Sequence, residues 1–240
     1  MTTLFISDLH LDPSRPEIIA IFRRFIADEA VNADALYILG DLFEAWIGDD
    51  ADDETGKQFV DAMRPLREAR KPCFYMHGNR DFLLGERFAR ESGMTLLPDL
   101  SVINLYGTPT LLMHGDSLCT DDAAYQAFRK QVRSAEWQRQ FLSQGIDKRQ
   151  AFAAQARSES QRHTRDSSNT AIMDVNQQAV EAAMKSAKVR RLIHGHTHRP
   201  ARHRVNIDNQ TCERIVLNDW YESGGVLRDG PDRIELSDLG

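Results

Sequence analysis

Five times along this chain a short apolar run stops at a cluster of acidic, amide or imidazole side chains. The runs are "LFISDLH" at 4–10, "LYILGD" at 36–41, "FYMHGNRD" at 74–81, "LLMHGD" at 111–116 and "LIHGHTH" at 192–198. Short continuous apolar runs suit buried strands. Glycine beside several of the polar ends lets the backbone turn sharply and approach closely. In an open α/β sheet, ligands collect beyond the carboxyl ends of the strands. The pattern therefore predicts strands whose polar ends converge on one place.

The intervening segments read as helices. "RPEIIAIFRRFIADEA" puts Pro16 in a first turn and Ile18, Ile21, Phe22, Phe25 and Ile26 on one face. Further helices are expected near 54–69, over 81–91 and near 176–187, with short strands at "TLL", "VINLY" and "TLLM". This alternation predicts an α/β fold with helices flanking the sheets. Residues 121–170 break the rhythm. There Tyr125, Phe128 and Val132 share a helical face that Trp137, Phe141 and Leu142 extend, and Ser, Arg and Gln dominate afterwards. The stretch is expected to be a helical insertion within a single domain of residues 1–240. Short antiparallel strands around "ARHRVNI", "CERIVLN" and "GGVLR" are expected to close the chain.

Charge and cysteine usage narrow the classes. Lys plus Arg number 30 against 36 Asp plus Glu, a formal net charge of −6, which does not indicate a nucleic-acid binder. The charge is uneven: residues 127–165 hold Arg129, Lys130, Arg133, Arg139, Lys148, Arg149, Arg157, Arg162 and Arg165 against Glu136, Asp147 and Glu159. Such a stretch suits a phosphate, an anionic bilayer surface or a solvated helix face. Three scattered cysteines, Cys73, Cys119 and Cys212, suggest reduced thiols in the cytosol. No signal-peptide pattern is present, and no apolar run approaches the ~20 residues of a spanning helix. Any membrane contact is expected to be peripheral.

The strand ends offer Asp8, His10, Asp41, Asn79, His114, His194, His196 and His198. Carboxylate oxygens and imidazole nitrogens without cysteine suit divalent first-row metals. They are too many for one tetrahedral ion and suit two ions sharing a bridging carboxylate. Taken singly the motifs are weak, since Asp-x-His is commonly a turn and "GNRD" can cap a helix. Their order, each behind an apolar run, makes them specific together.

In that order "DLH", "GD", "GNRD", "HGD" and "GHTH" resemble the calcineurin-like metallophosphoesterases. "YILGDLFEAWIGDD", "HGNRDFLLGERFARESG", "LLMHGDSLCTDD", "IMDVN" and "LIHGHTHRPA" resemble, more narrowly, the UDP-2,3-diacylglucosamine diphosphatases of lipid A biosynthesis. The resemblance implies mixed sheets flanked by helices, with the insertion as a lid. It implies two divalent ions, Mn²⁺ by preference: one on Asp8, His10 and His198, the other on Asn79, His114 and His196, bridged by Asp41. His194 and His77 are then packed or supporting histidines. Two such metals make a nucleophile of water near neutral pH and neutralise charge building at phosphorus.

The implied reaction is hydrolysis of UDP-2,3-diacylglucosamine by water attack on the α-phosphorus, giving UMP and 2,3-diacylglucosamine 1-phosphate. Asp41, Asn79, Arg80 and His114 would be catalytic, and Asn79, Arg80, Asp122, Ser160, Thr164, Ser167 and His196 would contact substrate. Location would be cytoplasmic, peripheral on the inner membrane. Relatives in the superfamily commonly carry His after Gly-Asn. Here Arg80 stands there, a poor general acid but a good phosphate clamp, which suits a phosphate leaving group. Two features depart from the narrower family: the segment from 143 to 170 is more polar, with Ser167 or Ser168 where a lysine is expected, and "LNDW" has Asn218 where glycine is usual. The runner-up is a metallophosphoesterase acting on another nucleotide or phosphodiester. A scaffold that has lost catalysis would lack ligands, and all the expected positions are filled.

Overall fold

The described residues of the computed structural model are 1–165 and 174–239, excepting the side chains of 161 and 163–165. In chain order the elements are β1 (Thr3–Ile6), α1 (Pro16–Asp28), β2 (Ala35–Ile38), α2 (Glu54–Ala62), α3 (Arg64–Glu68), β3 (Cys73–Met76), α4 (Glu86–Ser92), β4 (Thr95–Leu97), β5 (Ser101–Leu105) and β6 (Thr108–Leu112). There follow α5 (Ala123–Val132), α6 (Ala135–Leu142), α7 (Ile146–Arg165), α8 (Gln177–Ala187), β7 (Arg191–His194), β8 (Ala201–Ile207), β9 (Gln210–Val216), β10 (Gly224–Asp229) and β11 (Ile234–Leu239).

Two mixed sheets form. One has the order β11-β10-β1-β2-β3-β4, and the other β5-β6-β7-β9-β8. Strands β1 to β4 run parallel, as do β6, β7 and β9. The period-two alternation of side chains sorts three cores. From β1, Phe5 joins Leu112, Ile193, Ile215 and Leu227 between the sheets. Its neighbours Leu4 and Ile6 pack with Ile18, Phe22 and Phe59 of α1 and α2. On the far sheet Leu111 and Leu192 pack with Val180 and Met184 of α8. Each such fully buried side chain contributes about 1.5–3 kcal/mol. The molecule is thus layered helix, sheet, sheet, helix, and both faces of the central strands are covered, which is why they read as unbroken apolar runs.

Helix α1 starts at Pro16, whose missing N–H costs nothing in a first turn. Fully buried Trp220, the last residue of "LNDW", locks it to the sheet. Its ring meets Phe22 and Phe25 edge-on at 6.2 and 6.0 Å, and its Nε1 donates to Gly225 O at 3.1 Å.

The boundaries depart from the sequence reading in several places. The helix expected near 54–69 is two helices, α2 and α3, separated at Met63. The one expected over 81–91 starts only at Glu86. Residues 81–85 form a turn, and Asp49 from another loop accepts from Gly85 N and Phe88 N at 2.8 and 2.9 Å. Asp81 does not cap that helix. Its carboxylate instead accepts from Leu42 N, Phe43 N and Gly78 N at 2.6, 3.2 and 2.9 Å. Trp137, Phe141 and Leu142 do not extend the α5 face, because Ser134 caps a new helix, accepting from Trp137 N at 3.3 Å. Of the closing strands, β9 also pairs in parallel with β7, and β11 was not foreseen.

Part of the basic stretch turns inward, while Lys130, Arg139, Lys148 and Arg162 stay exposed. Arg129 bonds Asp99 and Asp116 at 2.5 and 2.7 Å, Arg149 bonds Asp50 at 2.5 Å, and Arg157 bonds Glu44 at 3.2 Å. Trp137 stacks on Phe141 at 4.6 Å and meets Phe152 of α7 at 5.5 Å. Helices α5 to α7 are therefore tied to the main body by these pairs and this aromatic cluster. Among the described residues no helix is long and apolar enough to cross a membrane.

Candidate metal centre

The carboxyl ends of β1, β2, β3, β6 and β7 open toward one another, and the loops that follow them carry the polar tripeptides. Asp8, His10, Asp41, His196 and His198 all hold positive φ, at 55, 46, 51, 70 and 52°. Each costs about 1 kcal/mol or more for a residue with a Cβ. Cross-loop hydrogen bonds hold the strain: Asp8 N to Gly40 O at 3.0 Å, His10 N to Asp41 O at 2.9 Å and His196 N to Asp8 Oδ2 at 2.8 Å. Two glycines permit the approach. A Cβ on Gly78 would overlap the Asp41 carboxyl and amide, and one on Gly195 would overlap Asp8 and Ser7.

Among the described residues two groups of candidate ligands result. Asp8, His10 and His198 form one, and Asp41, His114 and His196 the other, each with ligating atoms within 4.8 Å of one another. His198 Nε2 lies 3.3 Å from Asp8 Oδ1 and 3.3 Å from His10 Nε2. Asp41 Oδ2 stands between the groups, 3.8 Å from His10 Nε2 and 3.7 Å from His114 Nε2. Asn79 Oδ1 joins the second group, 3.0 Å from His114 Nε2.

These residues fit divalent cations. Asp8 is fully buried and Asp41 is 2% exposed. Ser7 Oγ and His196 N occupy Asp8 Oδ2, whereas Asp8 Oδ1, facing the histidines, has no hydrogen-bond partner among the described residues. The His114 Nδ1 donates to Leu39 O at 2.8 Å, so Nε2 is the nitrogen that faces the centre and would ligate a metal there. Oxygen and imidazole donors without thiolate match divalent first-row ions.

The electrostatics are those of a site short of positive charge. Burial raises the pKa of Asp41, with Asp81 and Asp8 adding to it. Burial opposes protonation of His114, yet Asp41, Asp8 and Asp116 together lift it to about 9. His196, whose ring centroid is 5.1 Å from that of His114, is pushed down to about 3 by burial and by that neighbour.

Other expected residues fall around this centre. The backbone N–H of Arg80 donates to Asp41 Oδ1 at 2.8 Å, and its guanidinium reaches Ser160 Oγ of α7 at 3.4 Å. Asp122 caps α5, accepting from Tyr125 N at 2.9 Å. Thr164 lies in the last turn of α7 with its side chain outside the described residues, and Ser167 lies outside them altogether. His194 and His77 are in neither group. The His194 Nδ1 donates to Gly195 O at 2.8 Å, and His77 Nε2 is 2.7 Å from Leu84 O. Cys119 is buried and its thiol pushed up to about 12 by burial, which makes it inert.

A calcineurin-like phosphoesterase family model matches residues 1–200. The chain belongs to the calcineurin-like phosphoesterase family. A UDP-2,3-diacylglucosamine hydrolase of Xanthomonas oryzae pv. oryzae (strain PXO99A) is 54% identical over 242 residues, covering 98% of both chains. One of Salmonella paratyphi B (strain ATCC BAA-1250 / SPB7) is 52% identical over 236 residues, again covering 98% of both.

In this phosphoesterase two neighbours of the centre escaped the sequence reading. Tyr221 stacks on His10 with ring centroids 5.1 Å apart. Glu44 is 6% exposed, with Oε2 3.2 Å from His10 Nδ1 and Oε1 3.2 Å from Arg157 Nε on α7. Burial would raise its pKa, but the contact with His10 and the nearby guanidinium groups of Arg80 and Arg157 hold it down. Glu44 lies three residues beyond Asp41, inside the family-like segment "YILGDLFEAWIGDD", where nothing in the residue pattern singles it out. The Glu44→Gln variant keeps the shape and loses the charge. It is expected to bind divalent metal about tenfold more weakly, measured by competition with a chromogenic chelator. It should also speed deuterium uptake in α7. Unchanged values in both would show that Glu44 supports neither.

Proposed function

We propose that this chain hydrolyses the diphosphate of UDP-2,3-diacylglucosamine in lipid A biosynthesis, water attacking the α-phosphorus to release UMP and 2,3-diacylglucosamine 1-phosphate. The reaction type rests on one observation: two groups of oxygen and imidazole donors meet at Asp41 Oδ2. The substrate is carried over from the hydrolases that are 52–54% identical over nearly the full chain.

In this reading Asp8, His10 and His198 would hold one ion and Asn79, His114 and His196 the other, with Asp41 shared between them; Mn²⁺ would suit the donor set. When bound, such a pair activates water near neutral pH and neutralises charge on the phosphorus. The protein's own groups do the rest. Leu39 O orients His114, and Ser7 Oγ and His196 N orient Asp8. Arg80, held beside the centre by its backbone bond to Asp41, clamps a phosphate through its guanidinium. Its role is charge stabilisation, which a phosphate leaving group needs more than proton donation.

Asn79 and His196 contact the substrate beside the metals. Asp122, Ser160, Thr164 and Ser167 contact it from the lid, residues 121–170 of a single domain spanning 1–240. The contact of Arg80 with Ser160 Oγ on α7 at 3.4 Å supports this reading. A lid of this kind serves a lipid substrate, whereas a small nucleotide or phosphodiester, the alternative, needs none.

Hydrolysis of the purified nucleotide-sugar lipid in ¹⁸O-water with Mn²⁺ tests the reaction. Label in UMP is expected. Label in the sugar phosphate would move the attack to the other phosphorus, and no turnover would favour the alternative. The protein is proposed to work in the cytoplasm on the inner membrane's cytoplasmic face. It is then expected to sediment with vesicles containing anionic lipid in a salt-dependent way. Equal pelleting with and without vesicles would refute that location.

A further inference from the structure

Behind the loop that carries His196 and His198 lies a cavity of about 240 Å³, lined by Asp174, Thr197, Arg199, His203 and Arg214 among others. None of the residues in the two metal groups lines it. Arg214, on β9, is only 8% exposed. Its Nη1 donates to His194 Nε2 at 3.4 Å. The ring's other nitrogen, Nδ1, donates to Gly195 O at 2.8 Å, so Nε2 is left as the acceptor and the ring brings no charge to Arg214. The Arg214 Nε is buried with no hydrogen-bond partner among the described residues, and the buried Thr197 Oγ1 in the same wall has none either.

Among the described residues Asp174 is the carboxylate that lines the cavity, and it does not supply them. Asp174 Oδ1 accepts from Val175 N at 2.7 Å, and Oδ2 from Arg199 Nη1 at 2.5 Å. Among the described residues no acidic group forms an ion pair with Arg214. A buried guanidinium beside a neutral partner and a buried hydroxyl with none are both costly to the fold. A tetrahedral oxyanion carries acceptor oxygens for donors of both kinds, and Arg is the side chain best matched to it. Arg199 adds positive charge around the same space.

We propose that this cavity is a second, non-catalytic binding site for an oxyanion of the phosphate class, with Arg214 Nε and Thr197 Oγ1 as its donors. Thr197 stands between His196 and His198, so an anion seated there would hold the metal-ligand loop from behind. The ligand is either free inorganic phosphate or the phosphate of a sugar headgroup, and the two share this chemistry.

Calorimetric titration of the chelator-treated full chain separates this site from the metal centre. Inorganic phosphate, or glucosamine 1-phosphate in a parallel titration, is expected to bind one site per chain, and the tighter of the two names the source. Arg214→Met and Thr197→Val should each weaken that binding at least tenfold, while Asp41→Ala leaves it unchanged. If Arg214→Met fails to fold, Thr197→Val decides alone. No saturable binding of either compound, affinity unaltered in the variants, or loss of binding in Asp41→Ala would each overturn the proposal.

Discussion

Replacing Asp41 by alanine is expected to lower kcat at least about a thousandfold, a barrier increase of roughly 4 kcal/mol. The reason is geometric. Asp41 Oδ2 is the oxygen that stands within 4 Å of a histidine from each ligand group, 3.8 Å from His10 and 3.7 Å from His114. Without it the two groups lose their shared anion, and metal content per chain, read by plasma mass spectrometry, is expected to fall with activity. The variant should still fold. Burial and the neighbouring carboxylates raise the pKa of Asp41, so its charge is a cost to the metal-free protein and not a source of its stability. A near-normal rate in a correctly folded Asp41→Ala protein would defeat the bridging assignment.

Arg80→Ala should lower turnover about a hundredfold while leaving metal content intact. One charge-assisted pair to phosphate contributes roughly 1.5–3 kcal/mol, which is one to two factors of ten in rate. Metal is spared because the backbone N–H of Arg80, not its guanidinium, holds Asp41 Oδ1 at 2.8 Å. Arg80→Lys should recover part of the rate, since a point charge replaces a planar fork. Loss of metal in either variant would show that the side chain supports the centre and not the substrate.

Much of this was legible in the residues alone. Apolar runs covered on both faces mark central strands, and the Asp, Asn and His that end them mark the candidate site, because ligands collect beyond the carboxyl ends of such strands. Boundaries were less legible. Asp49 stands in for a cap at α4 from 36 residues away in sequence, and Ser134 splits what looked like one helical face. The inward pairing of Arg129, Arg149 and Arg157 was invisible too. Their carboxylate partners Asp99, Asp50 and Glu44 lie 30 to 113 residues away, and nothing in a local charge count distinguishes a paired cation from a solvated one.

The order and chemistry of the donor residues are properties of the chain as written, since apolar periodicity and ligand type are carried residue by residue. Which donors share a group, that Asp41 lies between two of them, that His194 turns away to Arg214, and that Glu44 joins His10 to α7 were decided only when the two sheets packed. Such contacts join residues tens to hundreds of positions apart. Their distances are set by the packing of whole layers and by backbone held at positive φ, and neither leaves a period in the sequence.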